Sequence, residues 1–343
     1  MPDFEMPLEE LKSYGGRNPK PSDFDEYWSS ALRELRSRDP DVIFETASFR
    51  APYCDCFDLW WTGADGARVH AQYLRPKDGG TGGADEAFGA GTAEIEADEE
   101  SGEQPALLLF HGYSGDAGAW IEKLGYVAAG FHVFALDCRG QAGLSRDRGG
   151  QTGNTLHGHL IRGLYEGKES LYYRQVFLDT VRLADIAMAL PEIDSGRISV
   201  MGGSQGGALS LACAALVPEI ERAVVRYPFL SDYRRVWEMD LDENAYGELR
   251  DYFRMYDPLH EREEEIFTTL GYIDVQHLAP RIRAQVLFGC SGMDTLCPPS
   301  TQFAAYNAIP SEKRMRYYPD FAHEELRGFD DEDFEFIVLS NRD

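Results

Sequence analysis

Short apolar runs separated by longer helix-like segments recur along most of the chain. From Pro105 onward, runs of strand length alternate with turn and helix signals, which predicts a mostly parallel sheet covered by helices on both faces. Residues 170–189 have the pattern of a long helix within this alternation. The strand-like runs are 106–110, 131–136, 197–201, 223–226, 285–289 and 314–318. The pattern therefore predicts an α/β fold.

The chain before Pro105 has a different pattern. Residues 1–20 are marked by Pro and Gly and predict a loose arm, after which Ser22 or Asp23 can cap a helix that runs to about Arg36. Tight turn signals then separate three strand-like runs. These runs are 42–50, 56–62 and 68–74. Adjacent short strands joined by turns predict an antiparallel start to the sheet.

Two segments interrupt this organisation. Residues 78–104 contain nine acidic residues, no Lys or Arg, and few large apolar groups, so we expect a disordered surface loop. Residues 229–282 predict acidic, aromatic-rich helices that form an insertion over the carboxyl edge of the sheet, where ligands bind in such folds. No internal repeat is evident, and we predict a single domain over residues 1–343, with the arm and first helix within residues 1–40.

Composition and charge narrow the function classes. The net charge of −26 excludes a basic nucleic-acid footprint and disfavours anionic membranes. No apolar run reaches about 18 residues, and the acidic start lacks the features of a signal peptide, so we expect neither a membrane span nor export. Six cysteines without metal-ligand spacing predict free thiols and a cytoplasmic location. Only six of the 33 basic residues are lysines, which fits adaptation to high salt or simply an acidic protein.

The strongest chemical signal is the sequence Gly-Gly-Ser-Gln-Gly-Gly at residues 202–207. It lies between a buried-strand pattern and a helix pattern, and strand, Gly-x-Ser-x-Gly, helix is the nucleophile elbow. Gly202 and Gly206 leave room for a strained turn that presents Ser204. The backbone N–H of Gln205, at the helix start, is then one oxyanion-hole donor, and we assign Tyr113, after the first parallel strand, as the second. A glycine-rich turn with an unreactive serine has the same local pattern.

A base and an orienting acid are expected in the chain order Ser, Asp, His. His323 follows the last strand-like run, and Asp294 follows the run before it, so we predict a Ser204–His323–Asp294 triad. Asp320 and Glu324 are alternative orienting acids. His111 is predicted to organise its loop, and the pair His157 and His159 has no third ligand at suitable spacing. We therefore predict no metal site.

These motifs together resemble the acetyl xylan esterase/cephalosporin-C deacetylase family, the seventh carbohydrate esterase family of the α/β-hydrolase superfamily. The similarity runs from about residue 20 to the end, except for residues 78–104. The chain differs from the family in that acidic stretch and in the Glu-Glu-Leu that follows His323. The motifs that carry the resemblance are Arg139-Gly140-Gln141, Tyr172-Tyr173-Arg174, Gly203-Ser204-Gln205-Gly206-Gly207, Tyr227-Pro228-Phe229-Leu230, Asp294 with Cys297-Pro298-Pro299-Ser300-Thr301, and His323-Glu324.

The resemblance implies an α/β-hydrolase fold and the removal of acetyl groups from small acetylated sugars and cephalosporin C, without a cofactor. It also implies a ring-like homo-oligomer of hexamer type and a supporting role for Arg139 and Gln141 in the active-site scaffold. A general short-chain carboxylesterase is an alternative function. A serine peptidase is disfavoured because no propeller-like module is present, and a non-catalytic binding protein is disfavoured because every triad residue is present. Thioesterase and lactonase activities stay open.

Overall fold

The computed structural model describes residues 4–77, 103–148 and 156–339. Within these residues the chain forms one nine-stranded sheet in the order β1-β2-β3-β5-β4-β6-β7-β8-β9. The strands are β1 Ile43–Thr46, β2 Cys54–Thr62, β3 Arg68–Pro76, β4 Gln104–Phe110, β5 His132–Asp137, β6 Ile193–Gly203, β7 Arg222–Arg226, β8 Gln285–Ser291 and β9 Lys313–Tyr318.

The mode of strand pairing changes once across the sheet, from antiparallel to parallel. The first three strands pair antiparallel, and β3 joins β5 in the same manner. From β5 through β4 to β9, every neighbouring pair is parallel. The predicted mostly parallel sheet with an antiparallel start is confirmed. Since the carboxyl ends of parallel strands meet at one edge, the segments after β4, β6, β8 and β9 come together there.

Helices cover both faces because side chains alternate along each strand. In β4, Leu108 packs in an apolar cluster with residues of the long helix and of the helix after the elbow, whereas Leu107 packs in a cluster with residues of the third and last helices. The helices are α1 Leu8–Leu11, α2 Phe24–Arg36, α3 Leu124–Ala128, α4 Tyr172–Ala189, α5 Gln205–Leu216, α6 Tyr233–Glu238, α7 Gly247–Tyr256, α8 Glu263–Leu270, α9 Val275–Leu278, α10 Pro299–Ala308 and α11 Phe329–Val338. Short 3-10 helices span Trp120–Lys123, Lys168–Ser170, Gly271–Ile273 and Ala279–Arg281.

The prediction of a loose N-terminal arm is wrong for its described residues. The backbone N–H groups of Arg17 and Asn18 donate to Asp232 Oδ1 at 2.9 and 2.8 Å. Glu5 Oε2 accepts a hydrogen bond of 2.8 Å from the backbone N–H of Ser300, in the first turn of α10. Asp232 thus satisfies backbone N–H groups of the arm, and Glu5 of the arm in turn satisfies a backbone N–H of α10, which fixes a segment that has little apolar periodicity of its own.

Other expectations differ in detail. The helix predicted to end near Arg36 is α2, and its N-cap residue is Asp23. The strand expected over residues 42–50 is only the four-residue β1. Of the predicted acidic loop, residues 78–102 lie outside the described residues, while Gln104 already belongs to β4.

All six cysteines are free, as predicted, and all six are buried. Cys54 and Cys56 lie on one face of β2 with their sulfur atoms 3.7 Å apart. No helix in the described parts of the chain combines the length and apolar character that crossing a membrane requires.

Candidate active site

The nucleophile candidate Ser204 occupies a strained turn between β6 and α5. Its φ of 56° and ψ of −119° fall where few non-glycine residues lie. Packing requires the two motif glycines: a Cβ on Gly202 would stand 2.5 Å from the Gly206 carbonyl carbon, and one on Gly206 would stand 2.0 Å from the Phe110 carbonyl oxygen. A Cβ on Gly203 would make only ordinary contacts at 3.6 Å, so the extra glycine is not needed there.

The structure brings Ser204, His323 and Asp294 together. His323 Nε2 lies 3.0 Å from Ser204 Oγ, and His323 Nδ1 lies 2.8 Å from Asp294 Oδ2. The other carboxylate oxygen, Asp294 Oδ1, accepts from the backbone N–H groups of Leu296 and Cys297 at 2.9 and 2.8 Å. Asp294 is fully buried, so these bonds hold its carboxylate in one orientation.

The alternative orienting acids do not form this contact. The Glu324 carboxylate instead accepts from the backbone N–H of Ala322 at 3.0 Å, and the His323 nitrogen that needs an acid is already paired with Asp294. The ring of Tyr227 packs against the imidazole of His323 with a centroid distance of 4.7 Å. His323 is therefore positioned by a carboxylate and an aromatic ring.

Of the two assigned oxyanion donors, Gln205 is the next residue after Ser204, and Tyr113 lines the same pocket as Ser204. Gln205 follows Ser204 directly and is the first residue of α5, so its backbone N–H is one of those that a helix leaves without an internal acceptor. Tyr113 follows β4 and lines the same pocket as Ser204. The positive end of the α5 dipole also favours negative charge at this point.

The side chain of Gln205 ties these two loops together below the pocket. Its Oε1 accepts from Gln141 Nε2 and from the Tyr173 hydroxyl, both at 2.8 Å. Its Nε2 donates to Gln141 Oε1 at 3.1 Å and to the His111 carbonyl at 3.3 Å. Gln141 is therefore a buried partner of the elbow and does not line the pocket.

Arg139 anchors the same region through buried charge. Its guanidinium donates two hydrogen bonds of 2.7 Å to Asp179 of α4 and also pairs with Asp65. Burial raises the pKa of Asp179 to about 6, although the facing guanidinium acts to lower it. The Arg139 carbonyl accepts from the Tyr172 hydroxyl at 2.5 Å. The structure thus places Arg139 under the site as a link between α4 and the loop after β5.

The remaining histidines do not face Ser204 as a base. His111 Nδ1 donates to the Gly112 carbonyl at 2.7 Å and its Nε2 accepts from the Cys138 N–H at 3.0 Å, while burial lowers its pKa and keeps it neutral. His157 lines the pocket, whereas His159 is buried and stacks on Tyr172 at 4.9 Å. The histidine pair belongs to no ion-sized cluster among the described residues.

Ser204 and His323 open onto a pocket of about 490 Å³. Its walls come from the loops after the parallel strands and from the predicted insertion, and they are mostly apolar. A larger cleft of about 670 Å³ beside β9 contains no nucleophile paired with a base. The residues lining the Ser204 pocket are Gly112, Tyr113, Ser114, Leu156, His157, Ser204, Phe229, Glu243, Asn244, Ala245, Tyr246, Leu296, Cys297 and His323.

Glu248, a buried carboxylate beside this pocket, was not predicted from the sequence. It accepts from the Tyr113 hydroxyl and from the backbone N–H groups of Gly158 and Leu160 at 2.8 and 2.7 Å. The available signal was a glutamate on the apolar face of α7, next to Leu249. Such a local conflict between charge and burial often marks a functional region.

Comparison with known proteins shows the family to which the chain is similar. A family model described as acetyl xylan esterase (AXE1) matches residues 1–82 and 91–339. The crystal structure of acetyl xylan esterase 1 from Thermoanaerobacterium sp. JW/SL YS485 is 52% identical, with a TM-score of 0.88 and coverage of 98% of this chain and 99% of that one. The acetyl xylan esterase from Paenibacillus sp. R4 is 33% identical, with a TM-score of 0.85 and coverage of 97% and 99%.

A curated relative, acetyl esterase Axe7A from Xylanibacter ruminicola, is 32% identical over 167 residues. The match covers 49% of this chain and 36% of that protein, so the chain spans about a third of the length of this relative. Because the family model covers nearly the whole sequence, the chain belongs to the acetyl xylan esterase family, with the α/β-hydrolase fold.

Proposed function

We propose that this protein is a serine esterase that removes acetyl groups from small acetylated carbohydrates, in particular acetylated xylo-oligosaccharides. The observation that carries the proposal is His323, which lies within hydrogen-bond distance of both Ser204 and Asp294 at the base of a pocket. The two full-length structural relatives, both acetyl xylan esterases, support the substrate class. No cofactor is required for the chemistry.

The proposed reaction passes through an acyl-enzyme. His323 Nε2 takes the proton of Ser204 as Oγ attacks the acetyl carbonyl, and Asp294 holds the Nδ1 proton and stabilises the imidazolium. The backbone N–H groups of Tyr113 and Gln205 bind the oxyanion. His323 then returns the proton to the departing sugar hydroxyl, and water attacks the acetyl-serine by the same steps in reverse.

Pocket chemistry supports a short acyl group. Phe229, Leu296 and Cys297 supply apolar surface beside Ser204, while Glu243 and Asn244 offer polar groups to a sugar at the rim. Cephalosporin C is included in the proposal as a second substrate because its acetate ester presents the same reacting group. A general short-chain carboxylesterase differs in accepting longer acyl chains equally well.

Ser204→Ala tests the mechanism directly. We expect the variant to stay folded and to lose roughly 10⁴-fold or more in kcat, because only binding and the oxyanion donors remain. Ser210→Ala, in the same helix but outside the pocket, is the matched control and should keep its activity. Turnover like that of the wild type in folded Ser204→Ala would rule out this nucleophile.

A substrate panel tests the specificity. p-Nitrophenyl esters of increasing chain length, acetylated xylose and cephalosporin C should show the highest kcat/KM for the acetyl compounds. A maximum at longer chains would favour the general carboxylesterase.

The proposal also includes a homo-oligomer of hexamer type and a cytoplasmic location. The six buried free thiols support a reducing compartment. Light scattering on the purified protein would measure the number of 38.6 kDa chains in each particle. A monomer in solution would contradict the assembly.

A further inference from the structure

Cys297 places a thiol inside the active site that the esterase reaction does not use. Its side chain is almost fully buried and lines the same pocket as Ser204 and His323. Ligand atoms of Asp294, Cys297 and His323 all lie within 4.8 Å of one another. Across the described ranges, this is the group of three His, Cys, Asp or Glu residues compact enough to hold an ion.

The orientation of His323 matches that of a zinc ligand. A histidine that binds zinc through one ring nitrogen typically donates its other N–H to a carboxylate, which fixes the ring and raises its basicity. Here His323 Nδ1 is already paired with Asp294 Oδ2 at 2.8 Å, so Nε2 presents its lone pair toward Ser204. The arrangement that activates a serine therefore also prepares Nε2 for a metal.

Cys297 supplies the second ligand that zinc prefers. Zn²⁺ binds imidazole nitrogen at about 2.0–2.1 Å and thiolate sulfur at about 2.3 Å, with tetrahedral geometry. Because ligand atoms of Cys297 and His323 lie within 4.8 Å of each other and both residues line the pocket beside Ser204, an ion between them would reach both. The serine oxygen and water would complete its coordination.

We propose that Zn²⁺ binds reversibly to Cys297 Sγ and His323 Nε2, with Asp294 as the carboxylate partner of His323, and thereby inhibits the enzyme. This rests on the proposed function, since inhibition follows from the role of His323 as base. Binding releases the thiol proton to solvent and involves no change in oxidation state. The zinc ion occupies the Nε2 lone pair that would otherwise accept the Ser204 proton.

The acidic surface provides a different way for cations to bind, because the net charge is −26. Carboxylates and water suit Mg²⁺ and Ca²⁺, whereas thiolate and imidazole select zinc-like ions. Inhibition through surface carboxylates would therefore occur with Mg²⁺ as well. Inhibition through the proposed site would occur with Zn²⁺ and not with Mg²⁺ at the same concentration.

The first measurement is p-nitrophenyl acetate hydrolysis by the full chain at increasing Zn²⁺, followed by a chelator. We expect a saturable loss of activity that the chelator restores. Because Cys297 lines the pocket, the activity of Cys297→Ser at each Zn²⁺ concentration is expressed as a fraction of that variant's own rate without Zn²⁺. Cys297→Ala is a second variant for the same measurement. Both should raise the inhibition midpoint by about tenfold or more. Cys213→Ser, buried in α5 outside the pocket, should keep the wild-type midpoint.

A second measurement does not depend on catalysis. Co²⁺ added to Ser204→Ala should produce the near-ultraviolet charge-transfer absorption of a cobalt–thiolate bond, and the added Cys297→Ser change should remove it. If the Ser204→Ala variant shows this band but the wild-type protein has no esterase activity, the proposed function is wrong and the metal site is still supported. An unchanged Zn²⁺ midpoint in Cys297→Ser, or absence of the cobalt band, would overturn the site itself.

Discussion

Replacing Glu248 by glutamine should loosen the pocket wall that faces Ser204. The Glu248 side chain is buried, and its two oxygens accept four hydrogen bonds: from the Tyr113 hydroxyl and from the backbone N–H groups of Gly158, Leu160 and Ile161. Burial, and then the charge of Glu248, raise the pKa of Tyr113, so its phenol is a neutral donor. The helix α7 thereby holds both the loop after β4, which carries Tyr113, and the loop from residue 158 to 161.

The size of the effect follows from the geometry of the two oxygens. Glutamine can keep one oxygen for Tyr113 and Gly158, but it places an NH₂ group where Oε2 accepts from Leu160 at 2.7 Å and Ile161 at 3.3 Å. A hydrogen bond to a charged group contributes about 1.5–3 kcal/mol, and a buried donor left unpaired has a similar penalty. We expect the free energy of unfolding to fall by about 3 kcal/mol.

Kinetics should change together with stability. Because Tyr113 is an assigned oxyanion donor, a small displacement of its loop should lower kcat/KM for acetyl esters by about 10- to 100-fold. Urea unfolding and p-nitrophenyl acetate kinetics measure the two effects. Asp251→Asn, an exposed carboxylate one turn further along α7, is the matched control. Tyr113→Phe removes only the hydroxyl, so a double-mutant cycle with Glu248→Gln isolates that hydrogen bond.

The reasoning would be refuted if Glu248→Gln and Asp251→Asn had the same unfolding free energy and the same kcat/KM. A loss of stability with unchanged kinetics would show that the carboxylate supports the fold but does not position the pocket wall. A coupling energy of zero between Tyr113→Phe and Glu248→Gln would show that the charge of Glu248 does not strengthen its hydrogen bond with the Tyr113 hydroxyl.

Three further predictions concern the triad, pH and salt. Asp294→Asn should reduce kcat by about 10⁴-fold with little change in KM, whereas Asp320→Asn should be mild; the reverse result would exclude Asp294 as the orienting acid. Burial, with a smaller effect of Arg75, lowers the pKa of His132 from 6.5 to about 4, so stability should be lost as pH falls through that window. His132→Asn should flatten this part of the curve in urea titrations, and an unchanged slope would contradict the assignment. The midpoint of thermal unfolding should rise as NaCl increases from low to molar concentration, because the Debye length shrinks from about 30 to about 3 Å and repulsion within a chain of net charge −26 is screened. Sulfate at equal ionic strength is the control for salt exclusion from the protein surface. A flat midpoint would contradict stabilisation by charge screening.

Local periodicity was enough to predict the mostly parallel sheet and the edge at which the carboxyl ends of its parallel strands meet. Apolar runs of strand length alternating with helix patterns require a parallel sheet buried on both faces, and parallel strands end at one edge. The elbow at residues 202–207 is a local motif, and Asp294 and His323 each follow a strand of this sheet. The sequence alone therefore predicts all three residues of the candidate triad.

Chain order favoured Asp294, but only the tertiary structure excluded the alternative carboxylates and revealed a carboxylate that acts from a distant part of the chain. Asp294, Asp320 and Glu324 are equivalent by residue type, and the choice depends on which carboxylate points at His323 Nδ1. Glu248 contacts Tyr113 across 135 positions of sequence, which no local pattern encodes.

The same reason explains the N-terminal arm. The arm is marked by Pro and Gly and has no regular apolar periodicity, so the sequence predicted a loose segment. In the structure, Asp232 accepts a hydrogen bond from the backbone N–H of Asn18, 214 positions away in sequence. Helix and strand patterns reflect interactions between near neighbours in sequence, whereas the docking of the arm, the pocket wall and the Cys297 thiol depends on contacts that exist only once distant segments meet.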